Sequence, residues 1–128
     1  MADPLVEAAR QVQQRAYAPY SKFRVGAALE GRNGEVFTGC NVENASYGLT
    51  ICAERSAVVQ AVAGGVRSFR RVAIVSDAEP PVPPCGACRQ MLVEFGRDLA
   101  VESVGPASRR SWRLEELLPD AFVKEDLG

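Results

Sequence analysis

The 128-residue sequence contains no histidine. Any site in which imidazole binds a metal or carries protons is therefore excluded. Net charge is equally scarce, because fifteen basic residues stand against sixteen acidic ones and leave −1. A polynucleotide-binding surface needs an excess of Lys and Arg to displace counterions, so no nucleic-acid partner is expected. Arg70-Arg71 and Arg109-Arg110 read as isolated, solvated pairs. Long apolar runs are missing as well. Val58–Ala63 and Val72–Val75 fall far short of the roughly 20 residues that cross a bilayer, and no membrane partner is expected. Met1-Ala2-Asp3-Pro4 lacks the charged and then apolar pattern of a secretion signal, so the expected compartment is the cytoplasm. The length suits one domain spanning residues 1–128, with a core of its own.

Four cysteines are present. In a small chain without a secretion signal they point to metal or catalytic use in preference to two disulfides. Their spacing supports this. Cys52-Ala53-Glu54 is followed by Pro83-Pro84-Cys85-Gly86-Ala87-Cys88, which places three thiols and one carboxylate in a single pattern. Thiolates suit Zn2+, and three protein ligands leave a fourth tetrahedral position for water. One zinc per chain, held by Cys52, Cys85 and Cys88, is the expected cofactor. Glu54 is the candidate to move protons on and off that water.

The periodicity predicts a helix opening at Asp3-Pro4, with Leu5, Ala8, Ala9 and Val12 on one face. A strand over Val25–Leu29, the turn residues Gly31–Gly34 and a returning strand over Glu35–Gly39 read as a hairpin. Residues 41–50 read as a ligand-contacting loop. A helix over about Ile51–Ala63 ends at Gly64-Gly65. A buried strand over Val72–Ser76, a proline-rich loop over Asp77–Pro84 and a helix over Cys85–Phe95 come next. Strands over Leu99–Ser103 and near Ser111–Leu114 follow, and Leu117-Leu118-Pro119 closes the core. This order suits a mixed sheet between layers of helices.

Cys85 and Cys88, three apart at the start of a helix, would lie about 60° apart around its axis and could reach one ion. Both predicted metal helices would aim their N-termini at the site. That matters because Zn2+ with three thiolates is net anionic, which makes it a poorer activator of water than a site built from neutral ligands. Arg55 and Arg89, each directly after a site residue, are candidate donors to sulfur, with Arg55 expected to matter more. Cys40 as a fourth ligand of a closed structural site is the competing reading. It lacks a Cys-x-x-Cys partner and ends a predicted strand, where inert buried cysteines are common.

The Cys-x-Glu and Pro-Cys-x-x-Cys pair resembles the zinc-dependent nucleoside and nucleobase deaminases. Further blocks narrow the resemblance: Phe23–Ala28, Asn41–Tyr47, Cys52–Arg55, Pro84–Gln90 and Leu117–Phe122 look like the short, three-cysteine cytidine deaminases. The resemblance implies a three-layer α/β/α sandwich around a mixed five-stranded sheet. It implies hydrolytic deamination of cytidine and deoxycytidine in pyrimidine salvage. Glu54 would be the catalytic residue and Arg55 would support the thiolates. Phe23, Asn41, Val42, Glu43 and Ala53 would contact the nucleoside, with Asn41 and Glu43 at the sugar hydroxyls. A homotetramer with active sites at subunit interfaces is implied too, in which Phe122 of a neighbouring copy closes over the base. Deaminases acting on blasticidin S share the three-cysteine site and are the nearest rival. A scaffold held together by zinc is the rival from another class.

Overall fold

The computed structural model describes residues 3–128. The first helix, α1 (Pro4–Gln13), starts where Asp3 Oδ1 accepts the Leu5 N–H at 3.0 Å and Pro4 fills a first-turn position that needs no donor. Its buried face carries Leu5, Val6, Ala9 and Gln13. A hairpin of β1 (Val25–Gly31) and β2 (Val36–Cys40) follows, then α2 (Ala53–Ala63), β3 (Phe69–Ser76), α3 (Gly86–Val93), β4 (Ala100–Val104), β5 (Arg109–Arg113) and a single-turn α4 (Leu114–Leu117). Helix α2 stops at Gly64-Gly65 because Gly65 adopts φ +86°, a left-handed conformation that L side chains resist.

The five strands form one sheet in the order β2-β1-β3-β4-β5, antiparallel except for the parallel β3–β4 pair that α3 connects. Side-chain alternation assigns the two faces. Ala27 and Leu29 of β1, with Val72 and Ile74 of β3, pack with Ala57, Val58, Ala61 and Leu92 of α2 and α3. Ala28, Ala73, Val75 and Val104 face α1 instead, against Leu5, Val6 and Ala9. The result is the three-layer α/β/α sandwich with a mixed five-stranded sheet. Each fully buried Leu, Ile or Val contributes on the order of 1.5–3 kcal/mol, so both helical layers are held mainly by this alternation.

Two boundaries differ from the sequence-based expectation in a way that shapes the site. Helix α2 begins at Ala53 and α3 at Gly86, so Cys52 and Cys85 are the residues flanking their helices. Both have extended backbone, with φ −77°, ψ 156° and φ −66°, ψ 167°. The angular argument for Cys85 and Cys88 within one helix therefore does not hold. Cys85 reaches its partner from outside the helix. The last strand also ends at Arg113, because Leu114 turns into the buried layer to open α4.

Candidate metal and active centre

The connection from β2 brings the N-terminus of α2 to the same end of the sheet as the N-terminus of α3, which follows the carboxyl end of β3. Clefts outside the carboxyl ends of strands are the usual ligand positions in α/β sheets. Tight packing fixes α2 there. A Cβ on Gly39 of β2 would lie only 2.4 Å from Ala57 N and 2.6 Å from Ala53 O, so glycine alone permits this approach.

The two helix starts bring Cys52, Cys85 and Cys88 together, with all three sulfurs within 4.8 Å of one another. Cys52 Sγ lies 3.9 Å from Cys85 Sγ, which lies 3.4 Å from Cys88 Sγ. Tetrahedral zinc with Zn–S bonds of about 2.3 Å needs sulfurs roughly 3.8 Å apart. The thiol cluster fits that ion. Neither Cys52 nor Cys85 uses its sulfur to cap its helix, so the first-turn N–H groups add positive potential beside the sulfurs. Cys40 lies outside the cluster. It sits in a separate groove with Val12 of α1 and with Arg15 just beyond that helix, and that groove contains no second thiol.

Arg55 Nη2 donates to Cys52 Sγ at 3.7 Å and to Thr50 O at 3.2 Å. The thiol of Cys52 is pushed down to about 5, first by a hydrogen bond from Cys88 and further by the Arg55 guanidinium. Cys88, the donor, is pushed up. Arg89 is the other candidate donor to sulfur, and the structure corrects this. Its Nε and Nη1 donate to the carbonyls of Pro84 and Leu117, at 2.7 and 2.8 Å.

Glu54 is 6% exposed, and burial pushes its carboxyl up to about 7, with the neighbouring Cys52 charge adding to the effect. A carboxyl balanced near neutrality can both accept and return a proton. It faces a cavity of about 220 Å3 lined by Phe23, Asn41, Cys52, Ala53 and Cys85, with apolar walls from Val25, Ile74 and Val82. Asn41 is buried at the end of β2. Its Oδ1 accepts the Val25 N–H at 2.9 Å and its Nδ2 donates to Phe23 O at 2.7 Å, so it also fixes the segment that presents Phe23.

Three residues from the sequence stand outside this cavity. Glu43 lines an adjoining cleft with Tyr20, Ser21 and Tyr47, and Thr50 belongs to both spaces. The Glu43 carboxylate accepts from the N–H groups of Tyr20 and Ser21, at 3.0 and 3.1 Å, and from the Ser21 hydroxyl. The Ser21 hydrogen bond holds that carboxyl below its usual range. Val42 is half exposed and bridges Tyr17 and Ile51 through its backbone. Phe122 is 58% exposed on the C-terminal segment. The cavity walls Val25, Ile74 and Val82 are not legible in the sequence. Their only signal is hydrophobicity, which the core shares.

A buried carboxyl beside a zinc-fitting thiol cluster, at the helix-lined end of a mixed sheet, defines a metal-dependent hydrolase site. Comparison with known proteins names the class. Residues 2–103 match the family described as the cytidine and deoxycytidylate deaminase zinc-binding region. The cytidine deaminase of Sporosarcina psychrophila is 46% identical over 128 residues, covering 98% of this chain and 94% of its own. That of Mycobacterium tuberculosis H37Rv is 46% identical over 120 residues, covering 93% and 87%. The crystal structure of cytidine deaminase from Burkholderia pseudomallei matches with a TM-score of 0.90 at 49% identity, over 95% of this chain and 100% of that one. The chain belongs to the cytidine and deoxycytidylate deaminase family, and it is a zinc-dependent hydrolase of that family.

Proposed function

We propose that this chain removes the exocyclic amine of cytidine and deoxycytidine by hydrolysis, forming uridine and deoxyuridine and releasing ammonia. The observation that carries the reading is the juxtaposition of Glu54 with Cys52 and Cys85 on one small apolar cavity, where the buried Cys88 completes the thiol cluster. Zinc held by the three cysteines supplies Lewis acidity and makes water a usable nucleophile near neutral pH. Glu54 takes the proton from that water, passes it to the ring nitrogen and then assists the departing amine. The near-neutral balance of its carboxyl suits both directions of transfer.

Phe23 packs on the pyrimidine and the Ala53 backbone reads the base edge. Asn41 and Glu43 bind the sugar hydroxyls, and Val42 between them contacts the nucleoside. The chain assembles as a homotetramer in which Phe122 of a neighbouring copy covers the base. The exposure of Phe122 in the single chain supports this reading. Three ligating thiols need a reducing compartment, which supports action in the cytoplasm, in pyrimidine salvage. Among the described residues no helix is long and apolar enough to cross a membrane.

Ammonia release from zinc-loaded protein on cytidine, deoxycytidine, CMP and blasticidin S tests the proposal, with Glu54→Ala as the blank. Rapid turnover of the two nucleosides, lost in the blank, is expected. Turnover of blasticidin S alone would replace the substrate, and no turnover at full zinc occupancy would overturn the reading.

A further inference from the structure

Cys85 is the least packed of the metal-binding residues. Its side chain is exposed, while that of Cys52 is half-buried and that of Cys88 buried. Packing therefore does little to aim its sulfur, and the direction of its Cα–Cβ bond must come from the backbone on either side. One residue holds both sides. The backbone N–H of Arg89 donates to Cys85 O at 2.9 Å, and its side-chain Nε donates to Pro84 O at 2.7 Å. These carbonyls belong to the two peptide units that flank the Cys85 Cα, so φ and ψ at Cys85 are both constrained by Arg89.

The same guanidinium continues outward. Its Nη1 donates at 2.8 Å to Leu117 O, one of the last-turn carbonyls that α4 leaves unpaired. The next residue, Gln90, donates through Nε2 to Phe122 O at 2.5 Å. Two consecutive side chains of α3, beginning one residue after Cys88, thus grip the chain at residues 117 and 122. Both acceptors of the Arg89 side chain are neutral carbonyls. Its planar fork, with donors on different edges, is what lets one side chain reach two diverging acceptors, and a lysine ammonium cannot reproduce it.

We infer that Arg89 is a positioning residue that sets the Cys85 sulfur for the metal and, with Gln90, couples the metal turn to the C-terminal segment that carries Phe122. This inference rests on the reading of Cys85 as a zinc ligand. It adds a physical link between metal occupancy and the arm proposed to close over a neighbour's base. Occupancy of the thiol cluster should therefore tighten residues 117–122, and loosening Arg89 should be felt at the metal.

The test uses the full-length, zinc-loaded protein and its Arg89→Lys variant. Zinc release to a chromogenic chelator should be about 10- to 100-fold faster in the variant, the usual range for lost support of a ligand. The cobalt-substituted variant should show altered d–d bands while its far-UV circular dichroism matches the parent, a signature that general destabilisation would not produce. Parental release rates and an unchanged cobalt spectrum would overturn the positioning role. Should the variant fail to fold, the unaltered protein decides. Its backbone amides in 118–122 should exchange several-fold more slowly with zinc than without. Exchange there that ignores zinc, while residues 85–88 respond, would overturn the coupling. Failure of the protein to bind zinc at all would instead sink the functional reading on which the inference stands.

Discussion

Arg55 Nη2 stands 3.7 Å from Cys52 Sγ and, through the same nitrogen, 3.2 Å from Thr50 O. One guanidinium thus neutralises part of the thiolate charge and anchors the strand of chain that delivers Cys52. A three-thiolate zinc site is net anionic, so this contact bears on both the retention of metal and its acidity. Arg55→Gln keeps a donor but removes the charge. Zinc affinity, measured by competition with a chelator, should fall about 10- to 100-fold with the fold intact. Unaltered affinity would show that the helix termini alone offset the charge.

Glu54 is buried and aimed at the cavity, yet it is not one of the thiol ligands. Glu54→Gln should therefore keep one zinc per chain and a parental melting curve. Turnover should fall about 10²- to 10⁴-fold, the usual contribution of a positioned acid–base group. Steady-state kinetics on cytidine together with metal analysis separate the two effects. Near-parental turnover would remove Glu54 from the reaction.

Gly39 permits the closest approach between β2 and α2. In Gly39→Ala the new methyl would be driven against Ala57 N and Ala53 O, displacing the turn that presents Cys52 and Glu54. A stability loss of about 1–3 kcal/mol is expected from overpacking. It should be seen as a lower urea midpoint accompanied by substoichiometric zinc. A variant with full zinc and parental stability would show that α2 can shift without cost.

Asp3 both caps α1 and accepts from Arg71 Nη2 at 2.6 Å. The Arg71 hydrogen bond holds its carboxyl below the usual range. A depressed folded-state pKa means the contribution is complete above the ordinary carboxylate value of about 3.9 and is lost as pH falls through the lower folded value. Asp3→Ala should then cost about 1 kcal/mol at pH 7, typical of a lost cap. Urea denaturation at several pH values should show this gap constant down to about pH 5 and closing below 4. A gap that widens on acidification would contradict the assignment.

The metal pattern is legible in the amino-acid sequence because its spacing is local and its chemistry is specific. Thiols in a Cys-x-x-Cys array next to a Cys-x-Glu segment have few other uses. The layer architecture is legible for a related reason, since the period-2 and helical patterns switch cleanly at turn residues such as Gly31–Gly34 and Gly64-Gly65. The helix starts lie one or two residues beyond where the periodicity puts them. Cysteine is a weak capping residue, so no propensity marks Cys52 and Cys85 as flanking positions.

The sequence by itself determined the thiol set, the carboxyl placed beside it and the layer architecture, because each rests on residue chemistry or on the periodic placement of apolar side chains. Tertiary structure decided which arginine meets sulfur. Arg55 and Arg89 occupy equivalent places after their site residues, yet one reaches Cys52 and the other spans Pro84 and Leu117. It also decided which apolar residues wall the cavity, since Ile74 differs from its strand neighbours only in what lies opposite. Side-chain direction depends on partners distant in the chain, and no local pattern encodes where those partners will stand.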